Sequence, residues 1–187
     1  VYEAYDLQAI RIDGAAEHPT ALVQSTAMAS VPPPVPTYRP ILPKNLVQDG
    51  LLSAPQLESV IYAGNAHETH LKGWFKRGEI EGQLMAAAEG DEGAFRLRKG
   101  WFLGDGTGCG KGRQVAGIIL DNWLKGRRRA VWVSKSDKLI EDARRDWIAL
   151  GGRESDIVPL SKFRQGSDIR LPEGILFVTY ATLRSAE

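Results

Sequence analysis

The stretch that decides the fold of this chain is Gly104-Asp105-Gly106-Thr107-Gly108-Cys109-Gly110-Lys111-Gly112-Arg113. Its glycines let the backbone turn tightly and aim N–H groups at a polyphosphate, and the start of a following helix adds a favourable dipole. Lys111 is long enough to reach the outer phosphates of a bound nucleotide. The stretch therefore predicts a phosphate-binding loop, and a nucleotide is the first ligand to consider.

The loop departs from the pattern G-x-x-x-x-G-K-[S/T] at two positions. Gly110 and Lys111 fit, but Asp105 stands at the first glycine position and Gly112 stands where Ser or Thr is usual. The missing hydroxyl is the group that usually contacts Mg²⁺, so another group must hold a metal, and Asp105 and Thr107 are the local candidates. Gly112 also argues against a kinase or a small GTPase-like switch, and no G-x-G-x-x-G dinucleotide fingerprint runs through these residues.

Composition excludes several classes of protein. The 187 residues are 43% hydrophobic and 25% charged, as in a globular domain, and a net charge of +1 gives no overall attraction to nucleic acid or membrane. No apolar run approaches the roughly 20 residues of a membrane span, so no membrane partner is expected. The single cysteine, Cys109, suits a reducing compartment and predicts a cytoplasmic protein. Its neighbours are glycines and no histidine is near in sequence, so we interpret it as a small loop residue and not as a nucleophile.

Two stretches precede the loop region. Residues 1–43 end in a proline-rich run that includes Val31–Pro36, Pro40 and Pro43, which predicts an extended arm or linker. Residues 44–99 are expected to hold a short helix with Ser53 as its N-cap and Pro55 in its first turn, followed by an irregular, hairpin-like insertion.

From residue 100 onward strand and helix patterns alternate, which predicts an α/β domain over 100–187 with a parallel sheet flanked by helices. The pattern still continues at Glu187, so we expect the chain to be a piece of a longer protein. The basic run Lys125–Arg129 falls at the end of the first helix of this domain, where it offsets the helix dipole, and does not predict a nucleic-acid patch. The predicted elements are strands at 100–103, 130–134, 157–160 and 175–179, and helices at 111–125 and 137–150.

The loop also resembles motif I of superfamily 2 helicases and chromatin-remodelling translocases. Gly-Arg after the lysine is similar to the strawberry notch family in particular, and to its bacterial and mobile-element branch. The same resemblance is carried by five further segments, which are Ala27–Pro33, Thr37–Pro40, Leu52–Glu58, Ala116–Ile119 and Ala130–Ser134. It implies a RecA-like P-loop NTPase domain, of which this chain holds the first part.

The resemblance implies ATP and Mg²⁺ as cofactors, with the metal ligands unknown. Gln56 is similar to the helicase Q-motif glutamine, whose amide contacts adenine, and Gln114 matches a polar side chain that packs under the loop. The expected nucleotide-binding residues are Gly106, Thr107, Gly108, Cys109, Gly110, Lys111, Gly112, Arg113 and Gln56.

Hydroxyls recur where two predicted strands end, at Ser134 and at Thr179. Ligands gather at this edge of a parallel sheet, and Ser134-Lys135-Ser136 resembles motif Ia, which contacts the nucleic-acid backbone without reading sequence. Helix capping by Ser136 and Thr179 is the alternative reason for those hydroxyls. The expected nucleic-acid contacts are Ser134, Lys135, Ser136 and Thr179, with DNA favoured over RNA.

Two functions remain open from the sequence. The first is the nucleotide-binding front part of an ATP-dependent helicase-like or translocase motor, whose partners are nucleic acid and the C-terminal half of the same motor. No Asp-Glu-x-His or similar carboxylate pair follows a strand before Glu187, so we expect no catalytic residue in this chain and no useful turnover by it alone. The alternative is a non-catalytic scaffold or a transcription or chromatin adaptor that uses the same fold.

Overall fold

A computed structural model describes residues 1–184 of the chain. The N-terminal segment folds back on itself, because strand β1 (Tyr2–Ala4) pairs antiparallel with strand β2 (Val23–Ser25). The single-turn helix α1 (Thr26–Ala29) follows directly, and residues 32–43 carry neither helix nor strand. The proline-rich part therefore connects this small N-terminal pair to the rest of the molecule.

Two helices come next, α2 (Lys44–Gln48) and α3 (Ala54–His67). The predicted start of α3 is confirmed, with Pro55 in its first turn. Within that turn Gln56 Oε1 accepts the backbone N–H of Ser53 at 3.0 Å, which satisfies a donor that no helical partner reaches.

The hairpin-like insertion is also confirmed. Strand β3 (Trp74–Arg77) pairs antiparallel with strand β4 (Leu84–Ala87), and an isolated bridge joins Phe75 to Phe95 on the other side of β3. This hairpin is joined to α3 by only six residues, so it begins close to the end of that helix.

The C-terminal part is the predicted α/β domain. Its three strands form a parallel sheet in the order β5-β7-β6, with the helices packed around a core that includes Trp147 and Phe177. The elements are α4 (Lys111–Leu124), β5 (Arg129–Ser134), α5 (Ile140–Ala149), β6 (Ile157–Pro159), β7 (Gly174–Thr179) and α6 (Tyr180–Arg184).

A buried polar cluster ties the arm to this domain. The Tyr38 hydroxyl donates to the Asp121 carboxylate in α4, and the backbone N–H of Ile41 donates to the other oxygen of Asp121 at 2.7 Å. Lys125 adds an ammonium that donates to the Tyr38 hydroxyl. Asp121 is only 1% exposed, so the two arm donors, together with Lys125 Nζ 3.9 Å away, are what satisfy its carboxylate inside the protein.

Two expectations are corrected. The predicted strand at 100–103 is absent: residues 101–106 have no regular structure, and the side chain of Phe102 is 88% exposed. A strand needs a neighbour to pair its backbone groups, and none of β5, β6 and β7 pairs with this segment. The helix predicted over 137–150 begins instead as a 3₁₀ turn at Asp137–Leu139.

The last three residues of the predicted domain, 185–187, lie outside the described residues. Over residues 1–184, no helix combines the length and the hydrophobicity needed to cross a membrane.

Candidate nucleotide-binding site

The loop before α4 is shaped by two glycines in left-handed conformations. Gly108 has φ 94° and Gly110, the N-cap of α4, has φ 70°. A Cβ atom at Gly110 would lie 2.4 Å from Gln56 Nε2, so neither the backbone angle nor the space admits a side chain. Glycine at position 110 is thus favoured both by the backbone conformation and by the approach of Gln56 from α3.

The Cys109 carbonyl is held from two sides. Gln114 Nε2 from α4 donates to it at 3.1 Å, and Gln56 Nε2 from α3 donates at 3.4 Å. Gln114 also donates to the Asp105 carboxylate at 3.0 Å and is only 1% exposed, so it lies under the loop as the sequence predicts. Two helices therefore fix the path of the loop.

Lys111 lies where a phosphate-binding lysine is expected. It is the first residue of α4, and its Nζ donates to the carbonyl oxygens of Asp105 at 2.8 Å and Gly106 at 2.7 Å. An ammonium has three N–H donors, so two are used by the loop and one is left for a phosphate oxygen. The loop and Lys111 thus fit a nucleotide polyphosphate, with the α4 dipole adding to the attraction.

The side chain of Gln56 lies at the loop, although Gln56 precedes Cys109 by 53 residues in the sequence. Its Oε1 accepts from Ser53 and its Nε2 donates to Cys109, so both amide atoms already have partners. Each of these atoms can make a second hydrogen bond, so a contact with adenine does not require either partner to be given up. The adenine contact stays a prediction, whereas the link between α3 and the loop is a feature of the structure.

The position that usually bears the metal-binding hydroxyl is occupied by a carboxylate from α5. A Cβ at Gly112 would lie 2.2 Å from Asp146 Oδ2, so the carboxylate fills the space of the absent side chain. Arg113 holds this carboxylate, with Nε 3.3 Å from Asp146 Oδ1, and it also donates to the Leu51 carbonyl at 3.0 Å. Its guanidinium is therefore engaged by α5 and by the segment before α3, and its predicted phosphate contact stays a prediction.

Sequence reasoning missed Asp146, Glu58 and Tyr5. Glu58 in α3 is 6% exposed, and its carboxylate accepts the Tyr5 hydroxyl. Burial raises the pKa of Glu58, the hydrogen bond from Tyr5 opposes this, and the negative charge of Asp105 raises the pKa further. The pKa of Tyr5 is raised by burial and then by Glu58. Because 53 residues separate Tyr5 from Glu58, no local pattern in the sequence signals the pair.

The predicted nucleic-acid residues meet at the carboxyl edge of the sheet. Ser134 and Thr179 are register partners at the ends of β5 and β7. Ser136 accepts the N–H of Lys138 at 3.4 Å, and Thr179 accepts the N–H of Thr182 at 3.2 Å, so both hydroxyls also cap the turns that follow. Lys135 is exposed. Over residues 1–184, no hydrogen bond or ion pair joins these four residues to the phosphate loop.

Comparison with known families supports the interpretation of the loop as a phosphate-binding loop. The family described as P-loop containing NTP hydrolase pore-1 matches residues 17–187 of this chain. The chain belongs to this family. It is therefore a P-loop NTPase domain, and nucleotide binding with a divalent metal is the general property of such domains.

Relatives from animals and plants confirm the resemblance to the strawberry notch family. Human strawberry notch homolog 2 is 40% identical over 167 residues, strawberry notch of Drosophila melanogaster 37% over 172, and FORGETTER 1 of Arabidopsis thaliana 35% over 170. Each alignment covers 89% of this chain, but only 10%, 9% and 11% of the respective relative. The chain thus spans about a tenth of the length of these relatives. No solved structure matches it.

Proposed function

We propose that this chain is the nucleotide-binding front part of an ATP-dependent, helicase-like motor that acts on nucleic acid. The observation that carries the proposal is the position of Lys111 at the start of α4, with its ammonium inside a loop of left-handed glycines. Such loops present backbone N–H groups and a cation to the β and γ phosphates. The family membership supports the same use of these residues.

The proposed cofactors are ATP and Mg²⁺. Mg²⁺ keeps several waters and binds through one or two carboxylates together with substrate phosphates, so the hydroxyl that Gly112 lacks is not indispensable. Gly106 and Gly108 belong to the same loop, and Thr107 at its tip is exposed. In this proposal they contribute backbone groups around the phosphates.

The proposal is tested by binding of a fluorescent ATP analogue with Mg²⁺ to the 187-residue chain. Saturable binding is expected for the native protein and a loss of at least about tenfold for Lys111→Ala, since hydrogen bonds to charged groups contribute about 1.5–3 kcal/mol. Lys72→Ala removes an exposed lysine from the region before the hairpin and serves as the matched control. Equal affinity of all three proteins would reject the proposal.

Nucleic acid, with DNA favoured over RNA, is the proposed substrate of the sheet edge that holds Ser134, Lys135, Ser136 and Thr179. A cavity of about 870 Å³ lies at this edge and is lined by Thr179 and by the cationic Arg164. Hydroxyls and cations at such an edge suit the phosphate backbone. We expect Lys135→Ala to weaken binding to single-stranded DNA uniformly across sequences and to lower the salt slope by about one. An unchanged salt slope would show that Lys135 does not contact the DNA backbone.

A non-catalytic scaffold, or a transcription or chromatin adaptor that uses the same fold, is the second candidate function. It is favoured by the internal partners of the site, because Gln56, Arg113 and two of the three Lys111 donors are engaged by protein groups. A scaffold predicts a folded protein with negligible affinity for ATP in both the native form and Lys111→Ala. The same binding experiment therefore separates the two functions.

A further inference from the structure

A cavity of about 700 Å³ lies beside the phosphate loop, within the size range of small-molecule sites. It ends at Asp105 and Gly106, the two residues whose carbonyl oxygens hold the Lys111 ammonium. A molecule in this cavity therefore lies next to the group that we propose binds the outer phosphates. The cavity and the phosphate loop are therefore adjacent.

Three separate parts of the chain supply the walls of this cavity. The N-terminal arm contributes Tyr5, α3 contributes Tyr62, and the segment before the loop contributes Trp101. All three aromatic side chains are half-buried. Aromatic rings stack on nucleobases, and each stacked base is stabilised by roughly 1–3 kcal/mol. The walls therefore suit a flat, aromatic group.

Glu58 supplies a buried acceptor to the same cavity. It is 6% exposed, and its Oε2 accepts the Tyr5 hydroxyl. Within residues 1–184, Tyr5 is the one hydrogen-bond donor to this carboxylate, so Oε1 keeps its lone pairs for a second donor. A buried acceptor of this kind favours a ligand with an N–H group and disfavours one that presents a carbonyl oxygen.

We propose that this cavity binds the adenine base of the nucleotide, with the 6-amino group donating to Glu58 Oε1 and the ring packed against the aromatic walls. The inference rests on the proposed function, because the phosphates must lie at Lys111 for the base to lie here. It makes Glu58 the specificity-determining residue. Gln56, which the motif resemblance assigns to adenine, keeps its place between Ser53 and the loop.

The first test compares ATP with inosine triphosphate, which carries a carbonyl oxygen in place of the 6-amino group. A site built around an acceptor rejects the analogue that lacks the donor. We expect the native chain to bind ATP at least about tenfold more tightly than inosine triphosphate, as the loss of one charge-assisted hydrogen bond implies. Equal affinity for the two triphosphates would overturn the inference.

Variants test whether Glu58 is the residue that discriminates ATP from inosine triphosphate. Glu58→Gln offers an N–H₂ group to the inosine carbonyl, so the preference for ATP is expected to fall to within about threefold. Glu89→Gln makes the same change at an exposed site and should leave the preference unchanged. Circular dichroism establishes that Glu58→Gln is folded, and Tyr5→Phe, which removes only the hydroxyl next to Glu58, should keep the preference because the Glu58 carboxylate remains. A preference that persists in folded Glu58→Gln would contradict the assignment.

Photo-cross-linking with 8-azidoadenosine triphosphate gives a readout of position that does not depend on a variant. Labelled peptides are expected to contain Tyr5, Tyr62 or Trp101, and labelling only elsewhere would overturn the inference. Failure here is distinct from failure of the proposed function. If neither triphosphate binds and Lys111→Ala changes nothing, the proposed function and the adenine site are both rejected. If binding depends on Lys111 but not on the identity of the base or on Glu58, only the adenine site is rejected.

Discussion

At the scale of single residues, Gly112 marks the largest departure from the usual phosphate loop, and the structure gives a physical reason for it. Asp146 Oδ2 occupies the place of a side chain at this position, and Arg113 keeps it there. The replacement of the usual Ser or Thr by glycine at position 112 is therefore coupled to the position of a carboxylate from another helix. A search of the loop sequence alone cannot find such a coupling, because the two residues lie 34 positions apart.

Gly112→Thr tests this coupling. The new side chain must displace Asp146 from Arg113, so we expect the free energy of unfolding to fall by about 1–3 kcal/mol, as for other overpacked sites. In Gly112→Thr/Asp146→Ala the loss should be smaller than the sum of the single changes. Gly106→Thr is the control, because nothing lies within 4 Å of a Cβ there. Urea unfolding is measured for the native protein, Gly112→Thr, Asp146→Ala, the double variant and Gly106→Thr, and strictly additive losses would contradict the coupling.

Gly64 in α3 leaves space for the Tyr38 ring of the N-terminal arm. A Cβ at this position would lie 2.0 Å from the Tyr38 ring, which is itself held by Asp121 and Lys125. Gly64→Ala should therefore lower the free energy of unfolding by about 1–3 kcal/mol, although alanine is the better helix former. Gly100→Ala, at an open position, is the matched control. A stabilised Gly64→Ala protein would show that the arm does not pack as described.

At the scale of elements, Asp156 joins the end of α5 to the start of β6. Its carboxylate accepts Trp147 Nε1 at 3.0 Å and the Arg153 backbone N–H at 2.9 Å. Burial acts to raise the pKa of Asp156, but the hydrogen bonds from Trp147 and Arg153 outweigh it and hold the pKa below the ordinary 3.8. The ionised carboxylate therefore stabilises the folded state.

The sign of the pH dependence follows from that lowered pKa. The stabilisation is present above the ordinary aspartate pKa of 3.8 and is lost as the pH falls through the lower folded value. Asp156→Asn should cost about 1–3 kcal/mol at neutral pH, and the difference from the native protein should shrink below pH 3.8. Unfolding measured at several pH values checks this, and a difference that is constant down to acid pH would contradict the role of the charge.

The elements that sequence predicts well are those defined by local patterns. The helix that starts at Lys111, the hairpin and the three parallel strands follow from periodicity, caps and turn residues. The strand at 100–103 fails because its apolar residues satisfy the pattern while no neighbour pairs with its backbone. The contacts of Gln56 and Glu58 likewise depend on packing between distant segments, which no window of sequence contains.

At the scale of the whole molecule, the site is assembled from distant parts of the chain. The loop takes contacts from α3, α4 and α5, and its neighbouring cavity is lined in part by the N-terminal arm. In motors of the kind proposed, carboxylates hold the metal and arginines stabilise the developing charge during hydrolysis. We expect the 187-residue chain to bind ATP without steady turnover, measured as phosphate release over many equivalents. Steady hydrolysis that Lys111→Ala abolishes would refute that expectation.

The central claim is that Lys111 and its loop bind the outer phosphates of ATP, and the affinity ratio between ATP and AMP tests it most directly. Isothermal titration with Mg²⁺ should show that the native chain prefers ATP by at least about tenfold, because AMP lacks the phosphates that reach the ammonium. In Lys111→Ala this preference should largely disappear, while Lys72→Ala retains it. The same preference for ATP in the native chain and in Lys111→Ala, or no preference in either, would contradict the account.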